Sequence, residues 1–249
     1  MPLATKTLTA VAALALLALA PAHAQMMNGR DVVDMSNDIF LRANSPDALA
    51  KMRKDLVNAP EAYLISIEQP GTLVLADKRR VRIPAMKYNV ALHLLEVRDS
   101  TGSHVWPPGS LDGFYLGRGA DTRHFRSLLV RVGSTQMDFV EVLTPAENSP
   151  IVLGLKHKYI HEDAQLDPIL RTETKAARTE IGQIVVAGPG KNPKEPLREL
   201  PLNQRSVERL FGAGAAPVAA YAAKEHLAYD NLPQVLHLVE YYNRHVATP

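Results

Sequence analysis

Asp121, His124 and Asp138 are the residues of this chain best suited to acid–base chemistry. A histidine titrates near neutral pH, and a carboxylate beside it fixes which ring nitrogen carries the proton. A fold that lays the segment before His124 over the strand holding Asp138 would bring the three together. His104 is a second candidate base: Ser103 precedes it and Asp112 lies eight residues on, the ingredients of a nucleophile, a base and an orienting acid. Ser103 lacks the G-x-S-x-G turn of the α/β hydrolases, and Gly109-Ser110-Leu111-Asp112-Gly113 has the wrong order. The catalytic candidates are therefore His104, Asp121, His124 and Asp138.

A second group suits binding. Trp106, Phe114 and Tyr115 offer large contact area at small entropic cost, and Arg118 adds a charge beside them. They lie in Val105 to His124, a stretch with two prolines, four glycines and the only tryptophan, which reads as a long loop. Its glycines lack the lysine and following helix of a phosphate loop. The run Lys78, Arg79, Arg80 and Arg82 would meet an acidic surface, or serve as a solvated hairpin face. His157 and His161 have the spacing of two metal ligands on a helix, but the alternation around them predicts a strand. There, four residues span about 13 Å, too far for one zinc with bonds near 2 Å. No metal site and no cofactor are expected.

Composition bounds what these groups can do. The chain has 249 residues, no cysteine, and a formal charge of +2 from 28 basic and 26 acidic side chains. Thiol chemistry and Cys-ligated zinc are excluded, and near-neutrality gives no basic face for nucleic acid. Lys6, the apolar run Leu8 to Ala20 and the small residues up to Ala24 read as a cleaved secretory signal, so residues 1–24 are expected to be removed during export to the periplasm or beyond. No later segment approaches the length of a membrane span, so no integral membrane segment is expected after cleavage.

The elements that must position these residues follow from periodicity. Asp31 to Ala43 and Pro46 to Val57 predict two short N-terminal helices. From Tyr63 the period becomes two, giving a strand at 63–67, a hairpin over 73–83 that turns through Ala76-Asp77-Lys78, and strands at 88–97, 125–132, 137–143, 151–159 and 181–187. Short turns join them, so the pairing should be antiparallel. Ile169 to Thr179 predicts an exposed helix, and Gly188 to Pro196 a linker. Three helices are expected at 204–211, 217–228 and 232–246, the first capped by Asn203 and the last preceded by Asp230-Asn231.

The expected fold is α+β: a mainly antiparallel sheet of about seven strands, two N-terminal helices and a C-terminal helical section. Residues 25–187 would form the main domain and 197–249 a section packed on it, because its apolar helix faces need cover. Two functions compete. The first is a non-catalytic exported binding or accessory protein of the cell envelope, taking a protein or envelope ligand, with an inhibitor or immunity protein as a special case. The alternative is a cofactor-independent hydrolase with a His/Asp acid–base site.

Overall fold

The computed structural model of the chain describes residues 60–247, apart from 101, 145–148, 163, 167–172, 177, 191 and 193. Twelve strands run in chain order: β1 Gln69–Val74, β2 Arg80–Asn89, β3 Leu94–Asp99, β4 Gly102–Trp106, β5 Gly113–Leu116, β6 Arg123–Val132, β7 Ser134–Val142, β8 Ile151–Glu162, β9 Gln165–Leu166, β10 Glu173–Lys175, β11 Arg178–Pro189 and β12 Leu197–Glu199. Among the described residues three α-helices follow them: α1 Gln204–Phe211, α2 Ala215–Lys224 and α3 Leu232–Tyr241, the last continued by a π turn over Tyr242–Val246.

Ten strands form one sheet in the order β12-β11-β8-β7-β6-β5-β1-β2-β3-β4, while β9 and β10 make a separate two-stranded ribbon. The sheet also closes on itself. β12 pairs antiparallel with β11 through Val186–Glu199 and parallel with β6 through Leu197–Val130 and Arg198–Arg131. Strands β6, β7, β8, β11 and β12 thus make a small barrel, and each contributes one residue to its filling: Val130, Val140, Val152, Val186 and Leu197. The lumen has little spare room: a Cβ at Gly154 would press into the Val140 side chain and the Glu141 carbonyl.

Successive side chains on a strand point to opposite faces. The register therefore puts Arg126, Leu128, Asp138, Val140 and Lys156 on the lumen face of β6 to β8, and Phe125, Phe139, Glu141, Leu155 and His157 on the other. That second face is covered twice. Strands β1 to β5 curl over part of it and enclose an aromatic core of Tyr88, Phe114, Phe125 and Phe139. The helices cover Ile151, Leu153 and Ala187 with Val207, Phe211, Val218, Val235 and Leu238. Asn243 fastens this cover, its amide meeting both backbone groups of Ile151 at 2.8 and 2.9 Å.

Several expectations need correction. The fold class with two N-terminal helices is overturned: the described α-helices all follow the sheet, between residues 204 and 246 with the π turn that continues the last. The segments 31–43 and 46–57 lie outside the described residues. The sheet is larger than expected and carries one parallel pairing. Within the expected helix over 169–179, the described residues include β10 and the start of β11. Charged residues such as Glu173 and Lys175 favour helices intrinsically, but here the β9–β10 pairing prevails. Gly188 and Pro189, expected in a linker, complete β11 by pairing with Val152 and Ile151. Within the expected loop over 105–124 lies β5, held between β1 and β6. The expected strand at 88–97 is broken by a turn at 90–93, where the Asn89 side chain accepts the Leu92 N–H at 2.9 Å.

The C-terminal helices sit where their caps place them. The Asn203 side chain accepts the Ser206 N–H at 3.0 Å, and Asn231 accepts that of Gln234 at 3.3 Å. Each satisfies one of the donors a helix start leaves open.

Candidate active site

Two histidine–carboxylate pairs are built into β7 and β8, one on each face. On the lumen face, Asp138 has no solvent exposure and Lys156 is buried beside the apolar filling of the barrel. The Lys156 ammonium bonds Asp138 Oδ2 directly. The other carboxylate oxygen, Oδ1, accepts the Phe139 N–H at 2.9 Å and stands 3.0 Å from His93 Nδ1. His93 arrives from the turn between β2 and β3 and keeps about a third of its side chain (31%) in solvent. Its backbone is held at φ 52°, left-handed for a residue with a side chain. Such a conformation costs about 1–3 kcal/mol and persists where the surroundings fix it.

The electrostatics follow from burial. Desolvation, helped by the Lys156 charge, pushes the His93 imidazole down to about 4. At neutral pH the ring is therefore uncharged. With Asp138 ionised, Nδ1 carries the proton that Asp138 accepts, which leaves Nε2 as the basic nitrogen. Desolvation also lowers Lys156 to about 8. The arrangement is a neutral imidazole oriented by a buried carboxylate, with a cation on the far side of that carboxylate. Such a set can take a proton at Nε2 only in passing, because desolvation and the Lys156 charge disfavour the imidazolium while Asp138 fixes the ring's tautomer.

The second pair lies on the opposite face. Arg123 grips Glu141 with two hydrogen bonds, Nε to Oε1 at 2.8 Å and a terminal nitrogen to Oε2 at 2.5 Å. His157 Nε2 meets Glu141 Oε2 at 2.8 Å, and its ring is wholly buried 6.0 Å from that of Phe125. His157 Nδ1 has no hydrogen-bond partner among the described residues. Burial alone would raise the Glu141 carboxyl, but the hydrogen bonds from His157 and Arg123 and their charges hold it near 2. A wholly buried imidazole has no solvent-facing nitrogen to exchange protons, so this knot ties β6, β7 and β8 together.

The residues singled out from the sequence fall in several places. Asp138 belongs to the lumen site, but Asp121 and His124 do not join it. Asp121 is exposed in a 3-10 turn, Gly119–Asp121. His124 stacks on Tyr115 with centroids 4.3 Å apart. Leu128 is opposite Asp138, four residues along β6 from His124, a separation of about 13 Å. His104 lies on β4, paired with Val97. Of the expected ligand platform, Phe114 is fully buried in the aromatic core, Trp106 packs half-buried against that core, Tyr115 is half-buried, and Arg118 is exposed. His157 and His161 do share one strand, β8, and make separate contacts, His161 with the Thr179 hydroxyl at 2.7 Å. Among the described residues no three His, Asp or Glu side chains converge as metal ligands.

Sequence reasoning passed over His93 and Lys156. His93 is embedded in an apolar run read as one strand, and its partner Asp138 is 45 residues away. The one local signal was Asn89, a residue that bonds its own downstream backbone and so favours turns. No family model, no curated protein and no solved structure matches the chain.

Proposed function

We propose that the chain is an acid–base catalyst of the hydrolase class that uses no bound cofactor, with His93 as general base. The observation that carries this is a buried Asp138 aimed at a left-handed, third-exposed His93. In the reaction, water gives a proton to His93 Nε2 while its oxygen bonds to the electrophilic carbon. The imidazolium so formed is paired with Asp138, and it passes the proton to the leaving group. Lys156 stays bonded to the other carboxylate oxygen of Asp138 throughout.

The competing reading, a non-catalytic binding protein of the envelope, gives His93 only a structural part, and one assay separates the two. Chromogenic esters, amides and glycosides are offered to the wild type, His93→Ala and Asp138→Asn. Hydrolysis is expected in the wild type and should fall to background in His93→Ala while that variant still melts cooperatively. Wild-type inertness on every class, or turnover that His93→Ala leaves intact, would overturn the catalytic role.

Export remains part of the proposal, resting on Lys6, the apolar run Leu8 to Ala20 and the small residues before Gln25. Protein recovered from the periplasm of an expressing bacterium should begin at Gln25 on N-terminal sequencing. An envelope fraction still carrying Met1 would count against it.

A further inference from the structure

A cleft of about 610 Å³ opens on the outer side of the curled sheet, away from the barrel site. Its walls include Pro70 and Thr72 of β1, Arg82 and Pro84 of β2, and Gly117 and Arg118 just beyond β5. The residues around it include two guanidinium groups and no carboxylate. Among the described residues neither Arg82 nor Arg118 forms an ion pair, and both are exposed.

The rest of the basic hairpin is engaged differently. Lys78 pairs with Asp112 at 2.6 Å, Arg79 with Asp77 at 2.5 Å, and Arg80 lies over the Tyr115 ring at 5.4 Å. Strand alternation sends Arg82 to the same side as Thr72, its direct partner across β1 and β2. The cleft is also built on a stiff base. The Gly117 N–H donates to the Pro70 carbonyl at 2.8 Å, and Pro70 and Pro84 lie within β1 and β2. A Cβ at Gly71 would strike the Tyr115 carbonyl and the Met86 sulfur, so the chain can pass there only as glycine.

We infer that this cleft binds a small organic anion through Arg82 and Arg118, a carboxylate or phosphate group held between the two guanidinium groups with Thr72 donating a hydrogen bond. Guanidinium forks match the paired oxygens of both anion types. The volume falls within the range of small-molecule sites, about 300–1,000 Å³, and accommodates a sugar-sized body attached to the anion. The prolines and glycines supply walls without charge, so the two arginines set the sign of the ligand. This site does not depend on the His93 chemistry.

The test is titration calorimetry of the whole exported chain with glucuronate, glucose 6-phosphate, glucose and inorganic phosphate at low salt. Saturable heat is expected with glucuronate or glucose 6-phosphate and none with glucose, and which acid binds tells carboxylate from phosphoester. Arg82→Gln and Arg118→Gln should each weaken binding at least tenfold, and 0.5 M sodium chloride should weaken it in the wild type by about as much. Both arginines are exposed, so the variants should melt with the wild type; if either does not, Thr72→Val supplies the comparison, with an expected loss of severalfold. His93→Ala should bind as the wild type does, which keeps this result apart from the catalytic assay. Absence of saturable binding by either acid, or affinity equal in wild type and both arginine variants, would overturn the site.

Discussion

Glu141→Leu should cost about 3–5 kcal/mol of folding stability, the range for breaking a buried ion pair from one side. The loss has a clear origin. Glu141 satisfies two nitrogens of Arg123 and one of His157, and leucine leaves all three facing an apolar core. Arg123 keeps about a quarter of its side chain in water (27%), which moderates the penalty on its side. His157 has no such relief.

The same residue makes stability depend on acid. Glu141 is held near 2 in the folded chain against 4.5 for the free side chain. A carboxyl depressed by folding stabilises the native state fully above its unfolded value, and that contribution is lost as pH falls toward the folded value. The window therefore lies between about pH 4.5 and pH 2, and the loss across it amounts to about 3 kcal/mol. Urea unfolding at stepped pH should show the wild type weakening through that window while Glu141→Leu changes much less. Parallel curves for the two proteins would assign the acid sensitivity to other carboxylates.

Phe114→Ala carries the second large effect, about 3–5 kcal/mol for a large-to-small change at a buried aromatic. Phe114 stacks on Phe125 at 4.7 Å, meets Phe139 edge-on at 5.1 Å and lies 5.8 Å from Tyr88. Removing it opens a hole among three rings from three other strands, which close packing cannot fill without moving the sheet. Its neighbour Tyr115 faces the other way, against Arg80 and His124. Tyr115→Ala should cost far less, so the melting temperatures of the two variants should differ by on the order of 10 °C. Similar melting points would mean that Phe114 is not the keystone of the core.

The contrast between these adjacent residues explains what could be read in advance. At β8 the pattern was long enough to be decisive: Ile151, Leu153, Leu155, His157 and Tyr159 alternate, and a twelve-residue strand results. The caps Asn203 and Asn231 likewise announced their helices, because capping is a local hydrogen bond. β5 has only four residues, too few to establish a period, and its flanking glycines imitate a loop. Trp106, Phe114 and Tyr115 were grouped by type, although type does not say which face of a strand a ring occupies. Asp138 is legible as an acid but reads as a partner of Asp121 and His124, while its actual partners His93 and Lys156 depend on curvature that brings the β2–β3 turn to it. Such long-range meetings leave no trace in spacing.

The parallel contact of β12 with β6 also bears on how the chain reaches its native state. Leu197 and Arg198 meet Val130 and Arg131 across sixty-seven residues of chain. Loop closure over such a span is entropically costly, and non-local pairing slows folding. Hairpins such as β6–β7 can form early, but the lumen stays open to water until the last three-residue stave arrives. Until then β11 presents an unpaired edge through Val186 and Ala187. A chain cut off before residue 197 would hold that edge exposed indefinitely, an invitation to pair with another copy. The short C-terminal stave is thus a latch against self-association as much as a wall of the barrel.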